Sequence, residues 1–133
     1  MRRWLQRHGG DDRGSVSLEL VVVFPIVLLI LFGVVQGSLY YHARSVALAA
    51  AQEGLRETRI ENGTADAGQQ RAEAFVDAAG GDDVLRDVSI AVTRDATQAK
   101  VTVAGTSLSV VPGWAGMSVT QTAAGPVERV TAS

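Results

Sequence analysis

The chain has 133 residues, 14 acidic against 12 basic side chains, and a formal net charge of −2. This length allows one domain, or one small domain with an anchor. The weakly acidic balance gives no indication of nucleic acid as a partner. Because the chain contains no cysteine, disulfides and thiolate metal sites are excluded.

A long apolar run predicts one membrane span near the N-terminus. No charged residue occurs from Leu20 to Tyr41, and as a helix this run measures about 33 Å, enough for a hydrocarbon core of about 30 Å. Basic residues outnumber acidic ones before the run, with Arg2, Arg3, Arg7 and Arg13 against Asp11 and Asp12. By the positive-inside rule we expect a single-pass membrane protein with a cytoplasmic N-terminus and an extracytoplasmic head.

Two features within the run bear on how this helix packs. Pro25 cannot donate a helical hydrogen bond, so we expect a kink there. Gly33 and Gly37 form a G-x-x-x-G pair, which either permits close approach of another helix or is a chance spacing. A cleaved secretory signal fits less well, because the small-residue site near Ala47 lies beyond Arg44, well past the apolar run.

The helix is predicted to continue beyond the membrane, over Ser17–Ile60. Residues 44–62 are rich in Ala, Leu, Glu and Arg, which favour helices. Leu48, Ala51 and Leu55 form an apolar stripe at helical spacing. The stripe predicts which face of this segment is covered by protein.

Sequence periodicity predicts a small α+β head after this helix. Thr64 is expected to cap a second, short helix that Gly80-Gly81 ends, with an apolar face of Ala72, Phe75, Val76 and Ala79. Alternation with a period of two then predicts about three antiparallel strands, around residues 88–92, 99–103 and 117–121, the first two joined by the hairpin loop RDATQ. Pro126 suits an edge strand.

The predicted fold class is therefore α+β, with a long N-terminal transmembrane helix that continues outside the membrane. The expected segments are a cytoplasmic leader (1–14), the transmembrane helix (15–43), its extramembrane continuation (44–62) and the head (63–133). Trp114 lies in a glycine-rich loop of the head. We expect it to plug the head's core; the alternative is an exposed contact residue.

No catalytic or cofactor-binding constellation can be assembled from the sequence. The two histidines are His8 in the leader and His42 at the membrane edge. His42 follows Ser38 by four residues, but this pair has no orienting acid nearby, so a nucleophilic pair is not expected. Asp82-Asp83 lacks the alternating ligand spacing of a calcium loop, so a solvated turn explains it. We therefore expect no enzyme, no cofactor and no metal site.

Glu19, at the start of the apolar run, is the residue that most needs an explanation. A carboxylate at the centre of a lipid-embedded helix costs about 2.5–3.5 kcal/mol, and less near the end. A cut between Gly14 and Ser15 would make Glu19 the fifth residue of the mature chain. The cut would also create an ammonium at a helix start, where the helix dipole disfavours it. A carboxylate from the same chain or from a neighbour can neutralise that cation; alternatively, Glu19 only sits in the headgroup layer.

The same arrangement resembles the processing pattern of type IV pilin-like proteins: a basic leader, a glycine, four residues, a glutamate and an apolar helix. The run DRGSVSLELVVVFPIVLLILFGVVQ is similar to the TadE-like group of the tight-adherence (Flp) pilus system, and the tail VVPGW…SVTQTAAGPVERV is reminiscent of it. Ser15 departs from the standard pilin pattern, in which the first residue after the glycine is usually hydrophobic or aromatic.

The resemblance implies a pseudopilin or minor pilin that is matured by a prepilin peptidase. It implies that the peptidase recognises Gly14, and that Glu19 serves subunit pairing and engagement with the pilus assembly platform. The implied partners are the membrane, the peptidase, other pilin or pseudopilin subunits and the platform. The alternative is an unprocessed single-pass membrane protein whose head binds an envelope partner or ligand.

Overall fold

The computed structural model describes the backbone of residues 2–129 and the side chains of residues 15–129. Its elements are α1 (Arg2–Arg59), α2 (Ala65–Ala78), a 3-10 turn (Gly81–Asp83), β1 (Leu85–Arg94), β2 (Gln98–Ser107) and β3 (Ser118–Pro126). The predicted α+β fold class is thus confirmed, with its long N-terminal helix, short second helix and three-stranded antiparallel sheet. The chain divides into two compact units, Met1–Val35 and Gln36–Ser133.

Helix α1 begins much earlier than the sequence predicts. It starts at Arg2 rather than Ser17, and it ends at Arg59, one residue before the predicted Ile60. The leader contains no proline that would stop a helix, which explains why it continues the helical backbone. Pro25 lies inside α1, and the kink expected there stays a prediction.

The core of the second unit lies between α1 and the sheet. One face of α1 is buried through small or medium side chains: Ala43, Val46, Ala47, Ala50, Ala51 and Leu55. They belong to one cluster with residues of the sheet and of α2, namely Ala72, Val76, Leu85, Ala99, Val101, Val103 and Val119. The predicted stripe is right for Ala51 and Leu55 and wrong for Leu48, which is 37% exposed. One face of residues 43–55 of α1 is therefore part of the head's core.

Helix α2 follows its predicted boundaries. The Thr64 hydroxyl accepts a hydrogen bond from the Ala67 amide at 3.0 Å, which caps the N-terminus. Ala72 and Val76 are buried, and Phe75 and Ala79 pack partly buried against the same core. The chain leaves the helix through Gly80, whose φ of 132° suits glycine.

The two helices approach each other most closely where both carry glycine. A Cβ added at Gly68 would clash with the Thr58 hydroxyl and would lie 2.9 Å from the carbonyl oxygen of Gly54. The Thr58 hydroxyl is itself buried and donates to the Gly54 carbonyl at 2.7 Å. Glycine at position 68 is therefore required by the distance between the helix backbones.

The sheet has the order β1-β2-β3, with β2 in the centre. Val101 and Val103 of β2 face the core and are fully buried, as the alternating pattern predicts. Strand β3 is an edge strand and ends at Pro126, where a missing N–H does no harm. A register shift interrupts the pairing of β1 and β2 between Arg86 and Ser89.

The predicted hairpin loop RDATQ is confirmed between β1 and β2. The Asp95 carboxylate accepts hydrogen bonds from the amides of Thr97 at 2.8 Å and Gln98 at 2.6 Å. These bonds, that from Thr97 first, hold the pKa of Asp95 below its usual range. The charged form of Asp95 therefore organises the turn.

Side-chain hydrogen bonds join α1 to the sheet at both ends of the head. Near the end of α1, Arg94 Nε donates to the Thr58 carbonyl at 2.9 Å and Arg59 Nε donates to the Pro126 carbonyl at 2.8 Å. Twenty-two residues before Thr58 in α1, Gln36 Nε2 donates to the Leu108 carbonyl at 2.8 Å. The start of β2, where Gln98 pairs with Pro126, thus lies near the end of α1, and the residue after β2, Leu108, lies near Gln36. Strand β2 therefore runs antiparallel to residues 36–59 of α1.

The lengths of helix and strand agree with this direction. From residue 36 to residue 58, α1 rises about 33 Å. From residue 98 to residue 108, an extended strand also covers about 33 Å. The two lengths therefore allow β2 to lie along residues 36–58 of α1.

Trp114 does not plug the core, and the prediction was wrong. Its side chain is 43% exposed in the loop between β2 and β3. The core between α1 and the sheet is filled instead by aliphatic side chains such as Leu85, Val101 and Val103.

The crossing of α1 and α2 gives a test of the packing. Gly68→Ala should destabilise the head by about 1–3 kcal/mol, because the added methyl group has no room. The measurement is urea-dependent proteolysis of the head in detergent. Gly37→Ala is the matched control, since nothing lies within 4 Å of a Cβ added there. Equal stability of the Gly68→Ala chain and the unmodified chain would contradict the close crossing.

Candidate functional site

The apolar side chains of residues 15–35 of α1 are exposed. Every side chain from Ser15 to Val35 is exposed, with Leu18 and Val21 at 68% and Leu29 at 72%. Among the described residues, one helix is long and apolar enough to cross a membrane by length and composition, and its apolar window is not buried. In water such a surface would be unstable, so this segment requires lipid or other protein around it.

Glu19 is the only charged residue between Ser15 and Ala43. It is exposed and helical, as is Ser15, four residues earlier. Residues at this spacing lie on the same face of a helix, with Cβ atoms about 5–6 Å apart. The α-amino group that a cut before Ser15 would create therefore starts within one helical turn of the Glu19 carboxylate.

The Gly14–Ser15 peptide bond lies inside α1. A protease that binds its substrate in extended form must therefore unwind the helix locally. Glycine is about 1 kcal/mol less favourable than alanine in a helix interior, and the leader has glycines at positions 9, 10 and 14. The leader side of the bond is thus the easier side to unwind.

Two further features of α1 that the sequence singles out lie on its surface. Because Pro25 has no N–H, the carbonyl of Val21 has no helical donor at that position. A Cβ added at Gly33 or at Gly37 would meet nothing within 4 Å. Both glycines are therefore open to a neighbouring helix.

The charged side chains of the head form ion pairs on its surface or line a cleft. Glu53 pairs with Arg56 and with Arg71, at 3.4 Å in each case, on the exposed side of the helices. Acidic side chains line a cleft beside α2 and β1, among them Asp77, Asp82 and Asp87. In the part of the chain whose side chains are described, no group of three or more His, Asp or Glu residues could hold a metal ion.

Gln36 is the residue of interest that sequence reasoning missed. It is only 6% exposed, and its side chain both donates to the Leu108 carbonyl and accepts from the Val110 amide, the latter at 3.0 Å. The available signal was its position, since it is the first polar side chain after an unbroken apolar stretch from residue 20 to residue 35.

Comparison with known proteins gives one finding for the N-terminal part of the chain. The family model described as TadE-like protein matches residues 14–56. No curated protein and no solved structure matches the chain. The match begins at Gly14, includes Ser15, Glu19 and the whole apolar run, and ends three residues before α1 does. Over residues 14–56 the chain is similar to the TadE-like family, which agrees with the resemblance predicted from the sequence.

Proposed function

We propose that this protein is a pseudopilin-like structural or assembly subunit of a tight-adherence (Flp) type IV pilus, processed by a prepilin peptidase. The TadE-like match and the membrane-capable helix fit a pilus-associated membrane protein. The observation that carries the finer proposal is the order of Gly14, Ser15 and Glu19 at the very start of that helix.

The first step is hydrolysis of the Gly14–Ser15 bond. Water adds to the carbonyl, Gly14 leaves with a carboxylate, and Ser15 gains an ammonium. A glycine before the cut has no side chain to hinder an extended fit in a narrow cleft. The removed leader contains four arginines and two aspartates, so a formal net charge of −2 becomes −4.

The second step is neutralisation of the new ammonium. It stands at the N-terminus of a helix, where the dipole disfavours a cation, and at a membrane edge, where hydration is poor. Glu19 lies exposed on the same face of α1 and is the nearest acidic side chain along the remaining chain. We propose that it pairs with the Ser15 ammonium of a neighbouring subunit, which ties incorporation to prior cleavage.

The remaining parts of the chain have roles that follow from this step. The arginine-rich leader keeps the N-terminus in the cytoplasm, and the head is exported. The exposed apolar side chains of Ser15–Val35 provide the surface by which the helix contacts lipid and then other subunits. The unit Gln36–Ser133 acts as a cap or adaptor on the filament or its base.

A second candidate is an unprocessed single-pass membrane protein whose head binds an envelope partner. Two observations favour it. The Gly14–Ser15 bond lies within helix α1, and Ser15 is not the hydrophobic residue that usually follows the cut in pilins. The two candidates differ in the N-terminus of the protein in the membrane.

Processing predicts that the chain isolated from membranes begins at Ser15. Gly14→Leu should keep the leader attached, because a branched side chain hinders the extended fit before the cut. N-terminal sequencing and intact mass of the purified protein measure this directly. Gly10→Leu, in the same leader but away from the bond, is the matched control and should still be processed. An intact leader on the unmodified chain, in cells that contain the peptidase, would favour the second candidate.

Neutralisation predicts that Glu19→Gln and Glu19→Val leave cleavage and membrane insertion intact but block incorporation. Losing the charge favours insertion into lipid, whereas an ammonium left unpaired at a poorly hydrated site costs about 3–5 kcal/mol if deeply buried. The lower value already corresponds to a loss of about a hundredfold. The measurement is the mature protein that copurifies with filaments or with the assembly platform, divided by its amount in the membrane.

The matched control for the Glu19 variants is Glu57→Gln, which makes the same charge change on the same helix beyond the apolar run. It should copurify like the unmodified chain. If Glu19→Val copurifies equally well, Glu19 has no part in assembly and only occupies the headgroup layer.

A further inference from the structure

The loop between β2 and β3, residues 108–117, presents a continuous set of exposed apolar side chains. The exposed fractions are 37% for Val110, 38% for Val111, 43% for Trp114 and 42% for Met117. No charged residue occurs between Lys100 and Glu128, so the loop itself carries no charge. An exposed patch of this kind on a small head needs an occupant.

The loop is held in a defined shape. At its base the Ser107 amide donates to the Met117 carbonyl at 2.9 Å, and the Met117 amide donates to the buried Ser107 hydroxyl at 3.1 Å. Gly116 has a φ of 104°, and a Cβ there would clash with the Ser107 carbonyl. Within the loop, the Trp114 amide donates to the Val111 carbonyl at 3.2 Å. The apolar side chains are thus displayed by an ordered turn.

Gln36 fixes the level of this loop along α1. Its side-chain amide donates to the Leu108 carbonyl and accepts from the Val110 amide, so it satisfies two backbone groups of the loop. Gln36 belongs to the uncharged run that ends at Tyr41, about 7.5 Å further along the helix. If the membrane contains the uncharged run Leu20–Tyr41, its outer boundary lies near Tyr41. The loop is attached to α1 at Gln36, close to that boundary.

We propose that the loop of residues 108–117 inserts into the bilayer interface beside α1, with Trp114 as its anchor. Tryptophan favours this layer because its ring is apolar while its indole N–H can still reach water or headgroups. Tyr41, which is 69% exposed at the end of the uncharged run, belongs to the same belt. The inference rests on the membrane-spanning part of the proposed function and is independent of processing.

The depth of attachment favours lipid over a protein partner. A protein partner in the aqueous space would have to reach a surface attached at the level of the membrane boundary. The hydrogen bonds with the loop also give the Gln36 amide partners at a depth where water is scarce. The loop thus supplies hydrogen-bond partners to Gln36, the first polar side chain after the apolar sequence.

Charges near the loop limit how deeply it inserts. Strand β1 begins at Leu85, which pairs with Ser107 just before the loop, and this end of the head carries Asp82, Asp83 and Asp87. Carboxylates stay hydrated, so insertion is shallow and relies on apolar contact. Because these carboxylates are repelled by anionic headgroups, anionic lipid should not strengthen binding of the loop.

The test uses the full chain in phosphatidylcholine vesicles and follows the fluorescence of Trp114. The chain has two tryptophans, so Trp4→Phe leaves Trp114 as the single emitter. We expect lipids brominated near the headgroup end of the acyl chain to quench Trp114 severalfold more than lipids brominated near the chain end. Aqueous acrylamide should quench it weakly, and adding phosphatidylglycerol should not increase its quenching by brominated lipid.

Two control tryptophans are placed in a chain that also carries Trp114→Phe. Leu29→Trp reports the middle of the span and should respond most to bromine near the chain end. Ala96→Trp reports the exposed hairpin at the opposite end of the head and should respond only to acrylamide. If Leu29→Trp behaves as expected while Trp114 matches Ala96→Trp, the loop does not insert although the span stands. If acrylamide also quenches the tryptophan of Leu29→Trp, the apolar run does not span the bilayer.

Two further results separate lipid from a second copy of the chain. Gln36→Leu removes the attachment while making α1 more apolar, so quenching of Trp114 by brominated lipid should fall severalfold while that of Leu29→Trp is unchanged. Protection of Trp114 from acrylamide that grows with the protein-to-lipid ratio, without quenching by brominated lipid, would assign the loop to a contact between copies and overturn the inference.

Discussion

The structure depends on a change of surroundings along one helix. From Leu20 to Val35, α1 has only apolar side chains, and all are exposed; from Gln36 onward, one face of the same helix is buried by its own chain. The first segment satisfies its backbone hydrogen bonds internally except at Pro25, so its apolar surface suits lipid. The second segment supplies one side of the head's core. A single helix thereby joins a surface that needs lipid or neighbours to a domain that is already packed.

Small side chains form much of the surface on which the head packs. The face of α1 that meets the sheet is largely alanine, with Ala43, Ala47, Ala50 and Ala51 all at 0% exposure. Small side chains let the helix lie close to the strands, but each buries little area. With no cysteine to form a disulfide, the head relies on the aliphatic side chains of β2 and on hydrogen bonds at both ends of residues 36–59 of α1. These bonds join Gln36 to the loop and Arg94 to Thr58.

Much of the fold could be read from the sequence, because its signals there are local. The uncharged run, the Thr64 cap and the alternation in β2 each depend on neighbouring residues only. What failed was the choice of which surface is covered. A hydrophobic stripe favours Leu48, yet the buried face of the helix is formed by the alanines beside it, whose small side chains let the strands lie close to the helix. Trp114 was misassigned for a similar reason, since the hydrophobicity of a side chain does not tell whether protein or lipid covers it.

In the candidate site, too, the features set by neighbouring residues could be predicted from the sequence, and the long-range contact could not. The spacing of Gly14, Ser15 and Glu19 is a sequence property, and the structure adds that Ser15 and Glu19 are helical and exposed on one face. Gln36 could not be identified in advance, because its two partners, Leu108 and Val110, are more than 70 residues away in the chain. A long-range contact of this kind follows only from the packing of the sheet along α1.

The central claim is that α1 passes from lipid to protein surroundings outside the cytoplasm, and single cysteines can measure it because the chain has none. In spheroplasts, a membrane-impermeant maleimide should label Gln52→Cys and should not label Leu29→Cys until the bilayer is dissolved. Arg7→Cys, combined with Gly14→Leu to retain the leader, should react only after the membrane is permeabilised. Labelling of Leu29→Cys as fast as Gln52→Cys would contradict the span, and labelling of Arg7→Cys with protection of Gln52→Cys would reverse the topology.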